Sequence, residues 1–163
     1  MKPASRPVRS NSYLRYGFIL IAVLVVNTNL FSQTPSDSLM IRATVLDYLE
    51  GLEYNDTLRV TRALHPDLAK RVISQDKAGK DKLDNMSAAT LIHYTKTFDY
   101  TQLYKKGVDP KATLKVDVDI LDLSDGIATV KATQNKFAFF DYIHLGLLNG
   151  EWKIINVLWA WTP

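Results

Sequence analysis

The sequence predicts an α+β domain: three N-terminal helices packed on one face of a curved, mainly antiparallel β-sheet. Three observations carry this expectation. Ile41, Val45, Tyr48, Leu49 and Leu52 recur along one stripe of a helix. Leu114, Val116, Val118 and Ile120 alternate with Lys115, Asp117 and Asp119, the pattern of a strand with one wet face. Two dipeptides that readily take the positive φ angles of tight hairpins, Asp125-Gly126 and Asn149-Gly150, punctuate the last third of the chain. Helices followed by a strand meander place the helices on one face of the sheet. A strongly twisted sheet folded over a long helix makes a cone with an open mouth.

The 163 residues suffice for one domain and are too few for two comfortable ones. The 47% apolar and 23% charged composition is that of an ordinary globular protein. The formal charge of +3 is unevenly placed. Removing Lys2, Arg6, Arg9 and Arg15 with residues 1–32 leaves 16 of the 20 basic residues against 17 acidic ones, a net of −1. The basic excess therefore belongs to the N-terminus, and the remainder carries no nucleic-acid footprint.

Residues 1–32 have the basic, apolar and polar order of a secretory signal peptide. The apolar run over residues 18–26 is shorter than the roughly 20 residues that a membrane span needs. Cleavage is expected near Ser32-Gln33, which makes the mature chain exported, to a bacterial periplasm or the cell exterior, and leaves it without a membrane attachment; an uncleaved anchor is the alternative. The sequence has no cysteine. That excludes a lipoprotein anchor, disulfides and thiol chemistry, so the core alone must hold the fold.

Residues 33–38 are expected to form a short linker, with the domain running over 39–163. The first helix starts at Leu39, and Gly51 weakens its last turn. Asp56 is placed to cap a second short helix over residues 57–64, which Pro66 stops. Residues 68–74 are expected as a short strand. Residues 75–85 are dense in Lys and Asp and read as an exposed loop or hairpin tip. Ser87 caps a third helix with Leu91, Thr95 and Phe98 on one face, and residues 99–112 are irregular. The meander follows: a strand from Leu114, a return over residues 127–134, and two strands over 137–148 and 152–160.

The order of elements resembles the NTF2-like superfamily, with its cystatin-like cone. The opening block over residues 46–72, with His65-Pro66-Asp67, and the closing block, Asp141-Tyr142-Ile143-His144-Leu145 with Gly150-Glu151-Trp152-Lys153-Ile154 and Asn156-Val157-Leu158-Trp159, look more closely like secreted bacterial proteins named putative lumazine-binding. The resemblance covers residues 37–163. It implies a pocket for a small molecule, with a flat heterocycle as the candidate, and the wider superfamily includes ketosteroid isomerases and dehydratases.

Several residues are candidates for the site. His65 precedes Pro66 at a helix end and offers either an acid/base group at the cone mouth or a local bond to backbone. Asp67 is placed either to orient it or to cap the following residues. Tyr142 and His144 share one side of their strand, and Asp141 takes the other. The expectation adopted is Tyr142 and His144 inward, as polar tips on an aromatic wall. The opposite orientation makes Asp141 the inward acid, a candidate base. Trp159 and Trp161 share one face of the next strand, where they either stack on a planar ligand or pack in the core or a dimer contact. Tyr48 can place a phenol at the cavity floor.

No phosphate loop, nucleophile turn or metal-ligand spacing is present; His65, His93 and His144 stand far apart. No cofactor and no metal is expected. The leading reading is an exported small-molecule-binding protein, homodimeric through the outer sheet face. Its rivals are an isomerase or dehydratase using His65 or His144 as general acid/base, and a dimeric interaction module without a ligand.

Overall fold

The computed structural model describes residues 35–162. The expected signal peptide and the start of the expected linker lie outside them. The remaining linker residues are helical, because helix α1 (Pro35–Glu53) begins with proline, whose fixed φ suits a first helical position. Among the described residues no helix is long and apolar enough to cross a membrane.

Ile41, Val45, Tyr48, Leu49 and Leu52 of α1 are all at most 1% exposed, so the helical stripe is the core stripe. Asp56 caps α2 (Thr57–Ala63) by accepting from the backbone N–H groups of Leu58 and Arg59 at 3.0 and 3.1 Å. Gly51 contributes more than a weak turn. A Cβ on it would lie 2.6 Å from Val60 Cγ2, so glycine allows α2 to fold back tightly on α1. Asp47 and Glu50 then pair with Arg59 at 2.9 and 2.6 Å, and Asp47 also with Arg62 at 2.7 Å.

Strand β1 (Leu64–Gln75) starts as α2 ends and is longer than expected. It turns through Asp76, whose carboxylate accepts from the backbone N–H groups of Ala78 and Lys80. The chain returns as β2 (Asp81–Ser87), in the region expected to be a loop or hairpin tip. β2 is an edge strand with six of its seven residues exposed, so it lacks the apolar alternation that would have marked it. Ser87 caps α3 (Ala88–Thr97) through the Thr90 N–H. The third helix thus follows a hairpin and does not belong to an N-terminal block of three, which corrects the expected arrangement. Tyr100–Leu103 forms one 3-10 turn in the stretch expected to be irregular.

The meander runs β3 (Val116–Ser124), β4 (Ile127–Gln134), β5 (Phe139–Leu148) and β6 (Glu151–Trp161). Asp125 and Gly126 have φ of 49° and 74°, and Asn149 and Gly150 of 53° and 84°, as two-residue hairpins require. The sheet order is β2-β1-β6-β5-β4-β3, antiparallel throughout except that β1 runs parallel to β6.

β6 carries a bulge that decides which side chains meet the helices. Leu145 pairs with Ile154 and His144 with Asn156, so Ile155 is the extra residue. Trp152 and Ile154 face inward before it. The phase then shifts, and Val157, Trp159 and Trp161 take the inner side after it.

Candidate functional site

Between α3, the 3-10 turn and the inner face of the sheet lies a cavity of about 360 Å³. The strands supply Lys70, Met86, Phe139, Trp159 and Trp161; the helical side supplies Leu52, Leu91, Tyr94, Phe98, Tyr100 and Leu103. Trp161 is 53% exposed and Tyr94 is 42% exposed, which marks them as the mouth. The rings pack edge to face, Trp159 against Trp161 at 5.0 Å and 81°, and against Phe139 at 5.7 Å and 67°. This is the arrangement that the ring quadrupoles prefer.

Lys70 is the one charged side chain among the described residues that line this cavity. Its ammonium donates to Asp141 Oδ1 at 2.9 Å and to Tyr48 Oη at 2.7 Å. The side chains of Lys70 and Asp141 are 8% and 1% accessible, and Tyr48 is fully buried. Rings of Trp159, Tyr48 and Phe139 surround the ammonium with centroids at 5.2, 5.5 and 5.6 Å. An ammonium has three N–H groups, and two acceptors meet it among the described residues, which leaves one N–H without a hydrogen-bond acceptor there.

The register explains how residues so distant in sequence meet. Lys70 of β1 lies opposite Val157 of β6, and Asp141 of β5 opposite Trp159 of the same strand. The two side chains therefore reach toward each other diagonally across β6 on its inner face, and Tyr48 comes down from α1. Burial pushes the Lys70 pKa below the ordinary lysine value, while Asp141 pulls it back up. Burial, and then the negative charge of Asp141, drives the Tyr48 phenol well above its ordinary value. Burial also pushes Tyr100 up to about 12. Both phenols are thus neutral hydrogen-bonding groups at physiological pH.

The orientation adopted for Tyr142 and His144 is reversed. Tyr142 is 40% exposed and His144 is also exposed, whereas Asp141, Ile143 and Leu145 are fully buried. The Asp141 face also carries Phe139, Ile143 and Leu145, which join the buried core, and Lys70 neutralises the carboxylate buried among them. His144 Nδ1 instead meets Asn156 on the outer face at 3.1 Å, and Asn156 in turn accepts from Arg71 at 2.8 Å. His65 accepts from the Asp67 backbone N–H at 3.1 Å through Nδ1, a local bond, and does not line the cavity. Asp67 is exposed, 3.8 Å from the His65 ring nitrogen. Trp159 and Trp161 do line the cavity, and Tyr48 lies one layer beneath it, behind Lys70.

The sequence reading missed Lys70, Phe98, Tyr100 and Phe139. Lys70 had a visible signal. Leu68, Lys70 and Val72 share one phase of a strand, and a lysine in an apolar phase points at a buried partner.

A family described as "Putative lumazine-binding" matches residues 36–160. The chain belongs to this family. No curated protein matches. Among solved structures, an NTF2-like protein of unknown function from Shewanella baltica is similar, with 15% identity and a TM-score of 0.60 over 78% of this chain and 95% of that one. An NTF2-like protein from Methylobacillus flagellatus shows 16% identity and a TM-score of 0.59, over 81% and 97% of the two chains. A ketosteroid isomerase-like protein from Erwinia carotovora atroseptica shows 12% identity and 0.54, over 80% and 99%. At these identities the likeness establishes the NTF2-like fold of this chain and not its chemistry.

A buried ion pair is a poor stabiliser, since apolar residues of equal volume usually do as well, but breaking one side of it is costly. Lys70→Met should therefore lower stability by about 3–5 kcal/mol, and the double change Lys70→Met with Asp141→Leu should restore most of it. Urea denaturation of the parent, the single and the double variants checks this. A Lys70→Met protein as stable as the parent would contradict the pairing.

Proposed function

We propose that the protein binds a flat small molecule in the aromatic cavity, with the free N–H of Lys70 as its principal polar contact. The observation that carries this reading is the Lys70 ammonium lining an otherwise apolar, ring-walled space. A stability argument does not account for an ion pair there. A ligand site does, because apolar walls with a few fixed polar groups give both affinity and orientation. The volume of about 360 Å³ falls in the usual range for small-molecule sites. The description of the family supports a heterocycle of the lumazine type as the first ligand to try. The isomerase or dehydratase reading loses both histidines, since His144 lies on the outer face and His65 does not line the cavity, and its remaining candidate base, Asp141, is buried and paired with Lys70.

Titration of tryptophan fluorescence with lumazine, flavins and sterols tests this reading, alongside thermal shift. A binding ligand should quench Trp159 emission and raise the melting temperature. Trp159→Ala should weaken binding by about 0.5–1.5 kcal/mol, the worth of one aromatic contact. If no member of the panel shifts the melting temperature, and native mass spectrometry of protein from its native host finds no bound molecule, the binding reading fails.

The mature form is proposed to be exported and dimeric. The signal-peptide order of residues 1–32 supports export. The outer face supports a dimer through Ile73, Tyr142 and Leu158, which are 65%, 40% and 42% exposed. Protein recovered from the native host should begin near Gln33 and sediment at twice its chain mass. An intact Met1 in the membrane fraction would overturn the first expectation, and a monomer the second.

A further inference from the structure

A lone lysine in an apolar pocket ordinarily points to an anionic ligand. Asp141 changes that expectation. Its Oδ1 is 2.9 Å from Lys70 Nζ, and both side chains are nearly inaccessible, so the pair presents itself to the cavity as a neutral unit with one N–H left to give. No protein donor among the described residues reaches Asp141 Oδ2, which leaves Lys70 as the group that balances this carboxylate.

We propose that the cavity takes uncharged planar carbonyl compounds and rejects the matching carboxylates, and that Asp141 is the positioning residue that sets this choice through Lys70. The proposal rests on the ligand-binding reading above. A carbonyl oxygen accepts the remaining Lys70 N–H and leaves the buried charges balanced. A carboxylate in the same place sets two negative charges against one ammonium, in a region where water screens little. The other polar groups on the wall do not offset this. Tyr94 and Tyr100 offer hydroxyls and Trp159 and Trp161 indole N–H groups, all uncharged. Tyr48 is already engaged, accepting from Lys70 at 2.7 Å. Asp141→Asn removes the balancing charge and keeps the shape. Burial then favours the neutral Lys70 amine, and a bound carboxylate, by taking the place of the missing charge, restores the ammonium and becomes the favoured occupant.

Calorimetric titration with 2-acetylnaphthalene and 2-naphthoate, which share one flat ring system, tests the charge rule at neutral pH. The parent protein should bind the ketone at least about tenfold more tightly than the carboxylate. In Asp141→Asn the carboxylate should gain about a hundredfold relative to the ketone and overtake it. A purely structural role for Asp141 would weaken both probes together and leave their order unchanged. A parent protein that binds 2-naphthoate as tightly as the ketone overturns the proposal, as does a folded Asp141→Asn protein with the parent's preference. Where that variant does not fold, the order of the two probes on the parent decides. Binding of neither probe overturns the ligand-binding reading itself, and the charge rule falls with it.

Discussion

A charge pair held in a nearly dry place ties together the strands and the helix that build the cavity. Lys70 and Asp141 come from strands that do not touch, with β6 between them, and they meet on the inner face of the sheet. Neither charge can be buried there alone without a penalty of several kcal/mol. The parallel pairing of β1 with β6, the antiparallel pairing of β5 with β6 and the seat of α1 over Tyr48 must therefore all be correct together. A slip of one residue in either pairing would turn one partner to solvent and leave the other buried and unpaired.

The bulge at Ile155 serves the same geometry. Without it, a strict two-residue alternation from Trp152 and Ile154 would turn Asn156, Leu158 and Ala160 inward, and Trp159 and Trp161 outward. The extra residue shifts the phase, so that one strand gives Trp152 to the core and Trp159 and Trp161 to the cavity. Aromatic walls and a compensated ammonium then stand together. Lys70 is only 8% accessible behind the rings, and such burial strengthens the hydrogen bond that it can offer an occupant.

Much of the fold was legible because it rests on local signals. The stripe from Ile41 to Leu52, the caps Asp56 and Ser87, and the turns Asp125-Gly126 and Asn149-Gly150 each act within a few residues of themselves. β2 was not legible, because an edge strand exposed on nearly every residue carries no alternation. The site was harder. Phe140, Tyr142 and His144 look nearly as suited to a wall as Asp141, Ile143 and Leu145, and what lets Asp141 lie inside with its apolar neighbours is a lysine 71 residues earlier in the chain. Tyr48 and the tryptophans were named from the sequence. Lys70, which gives the cavity its polarity, carried a signal in its apolar strand phase, but its partner was legible only in the sheet order that places it beside Asp141.

In the proposed complex Lys70 donates its remaining N–H to a flat occupant between the rings. A crystal structure of the protein with such a ligand tests it most directly. An acceptor atom of the ligand should lie within about 2.7–3.2 Å of Lys70 Nζ, with the ligand plane against Trp159 or Phe139 and the Lys70–Asp141 pair intact. A ligand bound in the cavity with no contact to Lys70, or seated outside the cavity, would contradict it.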